Sequence, residues 1–555
     1  MGDQSTFVPF KNIGLCFSGG GYRATFFALG VVSYLNELEY DGKPLLEHVA
    51  AISSVSGGTL LSVAYANAAQ EEDFDFKSFF KTFYNTFTPE NDKLLPTAVA
   101  KLEDDAVWEA HPHKKRSLIN AFALTYAEMP VFEGNFSSFK NPASSHLKQV
   151  CFNATDFSFG LTYRFQNTGY FGNDPLHNKQ VNKLKYNVVL GDIIASSSCF
   201  PLGFEPLVFP DDYFKDQNNP DYIALKSLDR FKDGVGIMDG GIADNQGIGS
   251  MMLINERMDN GLDLIMVNDV GSFKMEPWEQ DTTKLQKSPT LRHKLSKLLS
   301  YFSIKPLYWL PLLFGVLMVV LNSLHIFSST AWTSLYIVGS ILIGVGLVLT
   351  LIGIVASIVK SFAVRKFNKL LSKNVPEALL ADVISFKNLD ISLLQRMITD
   401  RLTSASKMIN DVFLKQMRRL NYDLFYSKSS LKHRRVTATV YKLNGMKTAY
   451  SGDAPSYNKE IKPKPSTLLT SVGLTASETP TTLWWDQKDI ALNRMDTLIA
   501  CGQFTVCYEL MDYILKLKSS DLDLDFTEVD KLYSRLKSDW KTFNKNPFYL
   551  VNELK

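Results

Sequence analysis

Between Thr282 and Pro376 the chain contains no Asp or Glu, and this gap constrains the fold more than any other feature. It holds two long apolar spans, 306–327 and 332–359, separated by the uncharged Ser328-Ser329-Thr330-Ala331. Each exceeds the roughly 20 residues with which an α-helix crosses a bilayer, and buried helices of soluble proteins are rarely so long and so free of charge. Lys284, Lys287, Arg292, Lys294, Lys297 and Lys305 precede the pair, and Lys360, Arg365, Lys366, Lys369 and Lys373 follow it. Because positive charge collects on the cytoplasmic side, the pattern predicts a transmembrane hairpin with both ends in the cytoplasm and the turn outside. Tyr308, Trp309, Trp332 and Tyr336 occupy aromatic-belt positions, and Ser340 with Gly344 forms a small-xxx-small pair that would let the helices approach closely. Leu291, Leu295, Leu298, Leu299 and Phe302 share one helical face, with Arg292, Lys294 and Lys297 largely off it. That predicts a basic amphipathic helix lying on anionic lipid.

The rest reads as a soluble body, since mean hydropathy is −0.05 although 45% of residues are hydrophobic. A net charge of +2 offers no footing for nucleic acid. Cys16, Cys151, Cys199, Cys501 and Cys507 are odd in number and contain no Cys-x-x-Cys pair, which argues against a disulfide framework or a zinc site and for a reducing compartment. The first ten residues lack a basic start and a long apolar core, so no signal peptide is expected.

Residues 11–17 read as a buried strand, 18–21 as a glycine loop, and 22–39 as a helix with Phe26, Leu29, Val32, Leu35 and Leu38 on its apolar face. A β-prone run, 48–55, then enters Ser56-Gly57-Gly58-Thr59, and 60–67 follows as a helix. Two successive strand–loop–helix units predict a parallel α/β sheet. Residues 70–145, aromatic and charged, read as a helical insertion or lid. Further strands are expected at 149–155 and 264–268, the run 187–190 leads to 192–201, and an apolar strand ends in Met238-Asp239-Gly240-Gly241. Beyond the hairpin, 393–426 reads as a long helix, 435–442 as a strand, and 490–517 as a helix broken near Gly502. The expected organisation is a catalytic core over 1–280, a basic juxtamembrane segment over 281–305 and the hairpin over 306–359. The catalytic domain then continues over 360–443, with a flexible Ser/Thr/Pro/Lys-rich loop at 444–480 and a helical C-terminal part at 481–555.

A serine at a sharp strand-to-helix turn, flanked only by small residues, is how a hydrolase exposes a nucleophilic hydroxyl. Ser56 fits that description, and a side chain at Gly58, or a large one at Ser54, should strike the backbone. Gly19, Gly20 and Gly21 would bare backbone N–H groups to an oxyanion, although a tight turn explains them equally well. They lack the Gly-Lys-Ser/Thr of a phosphate-binding loop and the Gly-x-Gly-x-x-Gly spacing of a dinucleotide site. His48, His111, His113, His146, His177, His293, His325 and His433 are scattered, and none stands at a strand end beside glycine. Asp239 does, which makes it the better candidate base, provided an apolar site and direct contact with the serine raise its basicity.

Taken in order, Ser18-Gly-Gly-Gly-Tyr-Arg23, Ser54-Val-Ser-Gly-Gly58 and Asp239-Gly-Gly241 resemble the oxyanion loop, nucleophile elbow and catalytic Asp motif of the patatin-like phospholipases. Phe152-Asn-Ala-Thr-Asp156, Ala195-Ser-Ser-Ser-Cys-Phe-Pro201 and Phe204-Glu-Pro206 support the match, which covers about 10–270 well and 385–515 more faintly. Ser54 and Ala24 stand where the family often has glycine. The resemblance implies an α/β fold of three α/β/α layers with a mostly parallel central sheet, here carrying an inserted two-helix transmembrane hairpin. It implies a Ser56–Asp239 dyad without histidine, metal or cofactor, with Gly19, Gly20 and Gly21 holding the oxyanion. Arg23 would steady their loop or attract lipid phosphate, and Gly58, Gly240 and Gly241 would support the turns. The activity implied is hydrolysis of fatty-acyl esters, of phospholipase A or lysophospholipase type, on membrane phospholipid or another acyl lipid. The hairpin would hold the site at the bilayer surface, where its substrate is concentrated. Rival readings are a lipid acyltransferase, a membrane-docked binding or signalling protein with a vestigial dyad, and an effector switched on by a signal. The sequence is silent on oligomeric state and on any regulatory partner.

Overall fold

The strand β1, Ile13–Phe17, is buried at all five positions, as is β2, Val49–Val55, at all seven. Neither alternates polar with apolar residues, the signature of strands covered on both faces. The computed structural model describes residues 7–140, 145–176, 178–271, 278–279, 288, 309–326, 332–374, 390–445 and 464–555. The remaining strands are β3 (Gln149–Asp156), β4 (Leu161–Gln166), β5 (Leu207–Phe209), β6 (Val235–Asp239), β7 (Leu264–Asp269) and β8 (Arg435–Thr439). They form one sheet in the order β8-β7-β1-β2-β3-β6-β5, with β4 pairing β3 off that path. Pairings from β8 to β3 are parallel, and those of β4, β5 and β6 are antiparallel. A 3₁₀ turn, Lys185–Asn187, leads to the helix Leu190–Ser197.

Strand side chains divide between two cores. Leu15, Phe17, Ile52, Phe152, Leu264 and Met266 join a large one, whereas Cys16, Ala51, Cys151, Ile265 and Val267 join a smaller one. This alternation places helices on both faces, giving the α/β/α layering. The large core receives α1 (Gly21–Glu37) and α2 (Gly57–Ala68); the small one receives α3 (Ile248–Arg257). The expected insertion at 70–145 contains the helices Phe76–Thr86, Leu94–Glu103, Asp105–Ala110 and Leu118–Glu128.

By contact the chain divides into two compact units, residues 1–276 with 408–555, and residues 277–407. In the second unit, α4 (Trp309–Ser323) and α5 (Thr333–Asn374) lie against each other. A Cβ at Gly315 would sit 2.6 Å from the Gly339 carbonyl, and one at Gly346 would sit 2.6 Å from the Leu312 nitrogen. The expected Ser340–Gly344 contact is therefore corrected: a Cβ at Gly344 meets nothing within 4 Å, because Gly339 and Gly346, two helical turns apart, carry the facing stripe. Asn322 closes the hairpin, its amide oxygen accepting from Trp332 N at 2.8 Å and its Nδ2 donating to Trp332 O at 3.2 Å. The amphipathic segment at 291–302 and the turn at 328–331 lie outside the described residues.

Returning to the first unit, α6 (Leu414–Ser427) follows a π-helical segment, Met408–Phe413, and packs on the smaller core through Phe425. The expected loop at 444–480 is corrected in part, since Thr467–Ser477 forms α7. Ser466 accepts from Leu469 N at 3.2 Å as its N-cap, and Leu469, Val472 and Ala476 are buried, an apolar stripe that the Ser/Thr-rich composition concealed. The expected break at Gly502 is absent, because Arg494–Lys518 is one helix, α8. There Gly502 serves close approach rather than flexibility. A Cβ on it would lie 2.2 Å from Phe27 O, and one on Gly30 across the interface would lie 2.1 Å from Ile499 O. By length and composition two described helices could cross a membrane, Thr333–Val355 and Arg494–Lys518, with 17% and 89% of their apolar windows buried. The second is thus a core helix of the first unit. Trp309–Ser323 is described over 15 residues, fewer than the expected 306–327 span.

Candidate active site

At the end of β2 the backbone turns through Ser56 at φ 50° and ψ −123°, an unfavourable conformation for a residue with a Cβ, and enters α2 at Gly57. Two hydrogen bonds hold it there: Ser56 N donates to Ser197 Oγ at 2.8 Å, and Thr59 N donates to Ser56 O at 2.8 Å. The neighbouring glycines are sterically required. A Cβ on Gly57 would lie 2.0 Å from Gly21 O, and one on Gly58 would lie 2.7 Å from Ser18 O. Ser54 is fully buried, and its hydroxyl pairs with Thr59 Oγ1 at 3.1 Å, so the small residue at this position fits.

Strand register brings Asp239 to the same place. Val55, the last residue of β2, is opposite Asn153 of β3, and Asp239, the last residue of β6, is opposite the next residue, Ala154. The ends of β2 and β6 therefore meet within one residue step of β3. The Asp239 carboxylate accepts through Oδ1 from Gly241 N at 2.7 Å, and the Ser56 side chain is near enough to favour its ionised form. Its backbone is fixed by Asp239 N donating to Cys199 O at 2.9 Å and by Thr155 Oγ1 donating to Asp239 O at 2.8 Å. Burial, with only 3% of the residue exposed, pushes the carboxyl up to about 7, against the opposing pull of the Gly241 hydrogen bond and the nearby Ser56 side chain. Gly240 has no room for a side chain, since a Cβ would lie 2.3 Å from Asn153 O; one on Gly241 would lie 2.9 Å from Asp239 Oδ1.

The glycine loop abuts this pair. A Cβ on Gly19 would stand 3.1 Å from Ser56 Cβ, and Gly20 and Gly21 take φ of 148° and 53°, which only glycine adopts freely. The expectation for Gly19 as an oxyanion donor is corrected, because its N–H already donates to Asn245 O at 2.9 Å. Those of Gly20 and Gly21 are engaged by no described residue. The N-termini of α1 and α2 converge here, and their unpaired N–H groups favour negative charge. Arg23 donates to Thr479 O at 3.0 Å and Ser477 O at 3.4 Å, and burial lowers its pKa to about 10. It ties the end of α7 to the loop, where Tyr22 N also donates to Thr482 O at 2.8 Å.

Sequence reasoning gave no role to Ser197, Asn153, Thr59 or Asn245. Ser197 Oγ accepts from Ser56 N, donates to Asn153 O at 2.6 Å and contacts Thr59 Oγ1 at 2.9 Å, linking the elbow to β3. Asn153 Nδ2 in turn donates to Ser54 O at 3.0 Å. Two of the four lay within the matching stretches 152–156 and 195–201, but nothing local marked their hydroxyl and amide as supports. Among the described residues, no histidine hydrogen-bonds Ser56 or Asp239, and no group of three or more His, Cys, Asp or Glu side chains could hold a metal ion.

An α/β/α body with a mostly parallel sheet, a strained serine elbow and a buried carboxylate beside that serine has the parts of a hydrolase. Residues 15–252 match the family model for patatin-like phospholipase, and the chain carries a patatin-like phospholipase domain over that region. The family is one of lipid acyl hydrolases. A comparison with curated proteins finds no match.

Proposed function

We propose that the protein is a membrane-anchored phospholipase of A or lysophospholipase type that works through a Ser56–Asp239 dyad. The observation that carries this reading is the strained Ser56 elbow beside a buried carboxylate, brought there by strand register, whose pKa burial raises to about 7. At that value an aspartate is a better base than an ordinary carboxylate and is still about half ionised at neutral pH. Ser56 Oγ attacks the acyl carbonyl carbon as its proton passes to Asp239, and the N–H groups of Gly20 and Gly21 stabilise the oxyanion. Collapse of the tetrahedral intermediate breaks the ester bond, and the departing lipid alkoxide takes the proton from Asp239. Water then attacks the acyl-enzyme, giving its proton to Asp239, which returns it to Ser56 as the fatty acid leaves.

Membrane anchoring is supported by the side chains that α4 and α5 leave uncovered. Leu313, Phe314, Ile341 and Leu351 are each about 60% exposed, an apolar surface that water would penalise and lipid would not. The flanking Lys and Arg residues support a protein working at the cytoplasmic leaflet. The test is mass spectrometry of lipids from cells expressing wild type, Ser56→Ala or Asp239→Asn. Loss of one phospholipid class with gain of its lyso form and free fatty acid is expected for wild type alone. Equal lipid profiles for wild type and Ser56→Ala would remove the hydrolase reading, and transfer to added lysolipid in place of fatty-acid release would establish the acyltransferase.

A further inference from the structure

The catalytic unit resumes at Met408, and α6 follows the π-helical segment that begins there. Arg418, Asn421 and Tyr422, at i, i+3 and i+4, lie on one face of that helix. They grip two buried carboxylates. Arg418 Nε donates to Asp269 Oδ2 at 2.7 Å, Tyr422 OH donates to the same oxygen at 2.8 Å, and Asn421 Nδ2 donates to Asp244 Oδ1 at 3.1 Å. Asp269 is 0% and Arg418 8% exposed.

Both carboxylates belong to segments that build the candidate site. Asp269 ends β7, where Asn268 O accepts from Ser18 N at 3.0 Å and Val270 N donates to Ser18 Oγ at 2.9 Å, so the first residue of the glycine loop hangs on the residues to either side of Asp269. Gln246 Nε2 reaches Asp269 Oδ2 at 3.4 Å, and the residue before it, Asn245, holds Gly19 N. Asp244 and Asn245 lie in the turn that begins at Asp239. A buried ion pair is poor evidence for stability alone, since an apolar contact would seat the helix without desolvating two charges. What a fully satisfied polar network supplies is a single fixed placement.

Resting on the hydrolase reading, we infer that Arg418, assisted by Tyr422 and Asn421, is a positioning residue: through Asp269 and Asp244 it sets the glycine loop and the Asp239 turn against Ser56. It touches no reacting atom. Its effect falls on kcat, because a small misplacement of reacting groups is costly once substrate is bound.

The test uses the full chain in detergent micelles with a short-chain chromogenic ester. Arg418→Met combined with Asp269→Asn removes both charges together, leaving none buried and unpaired. A melting temperature near wild type is expected, with kcat lowered at least about tenfold, KM within about twofold, and Ser56 labelled by a fluorophosphonate correspondingly more slowly. Arg418→Lys alone should recover part of the rate. A folded double variant with kcat within twofold of wild type overturns the inference. Should the double variant not fold, Tyr422→Phe, which keeps the ion pair, decides: about a threefold fall in kcat is expected at unchanged melting temperature, and an unchanged kcat overturns the inference equally. Hydrolysis by wild type that survives Ser56→Ala would instead defeat the hydrolase reading, so the two failures are distinct.

Discussion

Replacing Asp239 by Asn separates what the carboxylate does for chemistry from what it costs the fold. In the native state burial holds its pKa near 7, against an ordinary 3.8. Between these values the native state keeps a proton that the unfolded chain has released, so stability falls as pH rises from about 4 to about 7 and is level above that. At ~1.4 kcal/mol for each pKa unit, the ionised carboxylate costs the native state ~4 kcal/mol at pH 8. Asparagine is nearly isosteric, can still accept from Gly241 N, and has no such pH dependence. Asp239→Asn should therefore gain on wild type by up to ~3 kcal/mol between pH 4.5 and pH 8 while losing about 10²–10⁴-fold in kcat. Denaturant unfolding of both proteins at the two pH values measures the first quantity, and fatty-acid release measures the second. The wild-type rate should rise with pH through a single ionisation near 7. Parallel stability curves for the two proteins would refute the reasoning, because the carboxyl would then have the same pKa folded and unfolded.

Other outcomes follow from single contacts. Ser197→Ala leaves Ser56 N without its partner in a buried site, so a loss of about 1–3 kcal/mol is expected in denaturant unfolding, with slower fluorophosphonate labelling as the strained elbow relaxes. Gly502→Ala drives a methyl into the Phe27 carbonyl and should cost about 3 kcal/mol, read as a lower denaturation midpoint; an unchanged midpoint would show that the two helices can part freely. In the hairpin, Gly315→Leu should force α4 away from Gly339 and lower cysteine cross-linking yields between the helices. Gly344→Leu, at a position whose Cβ direction is open, should leave those yields unchanged.

Chemistry written in short stretches was legible without coordinates. The small residues around Ser56, the glycine run at 19–21, the Asp-Gly-Gly at 239–241 and the acid-free apolar spans each express a local requirement, of backbone angle, of Cβ clearance or of hydrocarbon length, and local requirements leave marks on neighbouring residues. What the chain order could not state is which separated pieces share a neighbour. The meeting of Ser56 with Asp239 depends on both strands ending within one residue step of β3, and the basicity of that carboxylate depends on burial by segments far away in sequence. The same limit explains the differences. Gly19 has the composition of an oxyanion donor, but Asn245 had already claimed its amide; Gly502 looks like a helix break and is a point of close helix packing. The apolar stripe of 467–477 was hidden by Ser and Thr that only tertiary contact turns outward. Sequence determined the turns, the candidate reacting groups and the apolar spans, because those are matters of local sterics and solvation. Tertiary structure decided the pairings, the protonation and the spare amides, because register and burial are properties of the assembled fold.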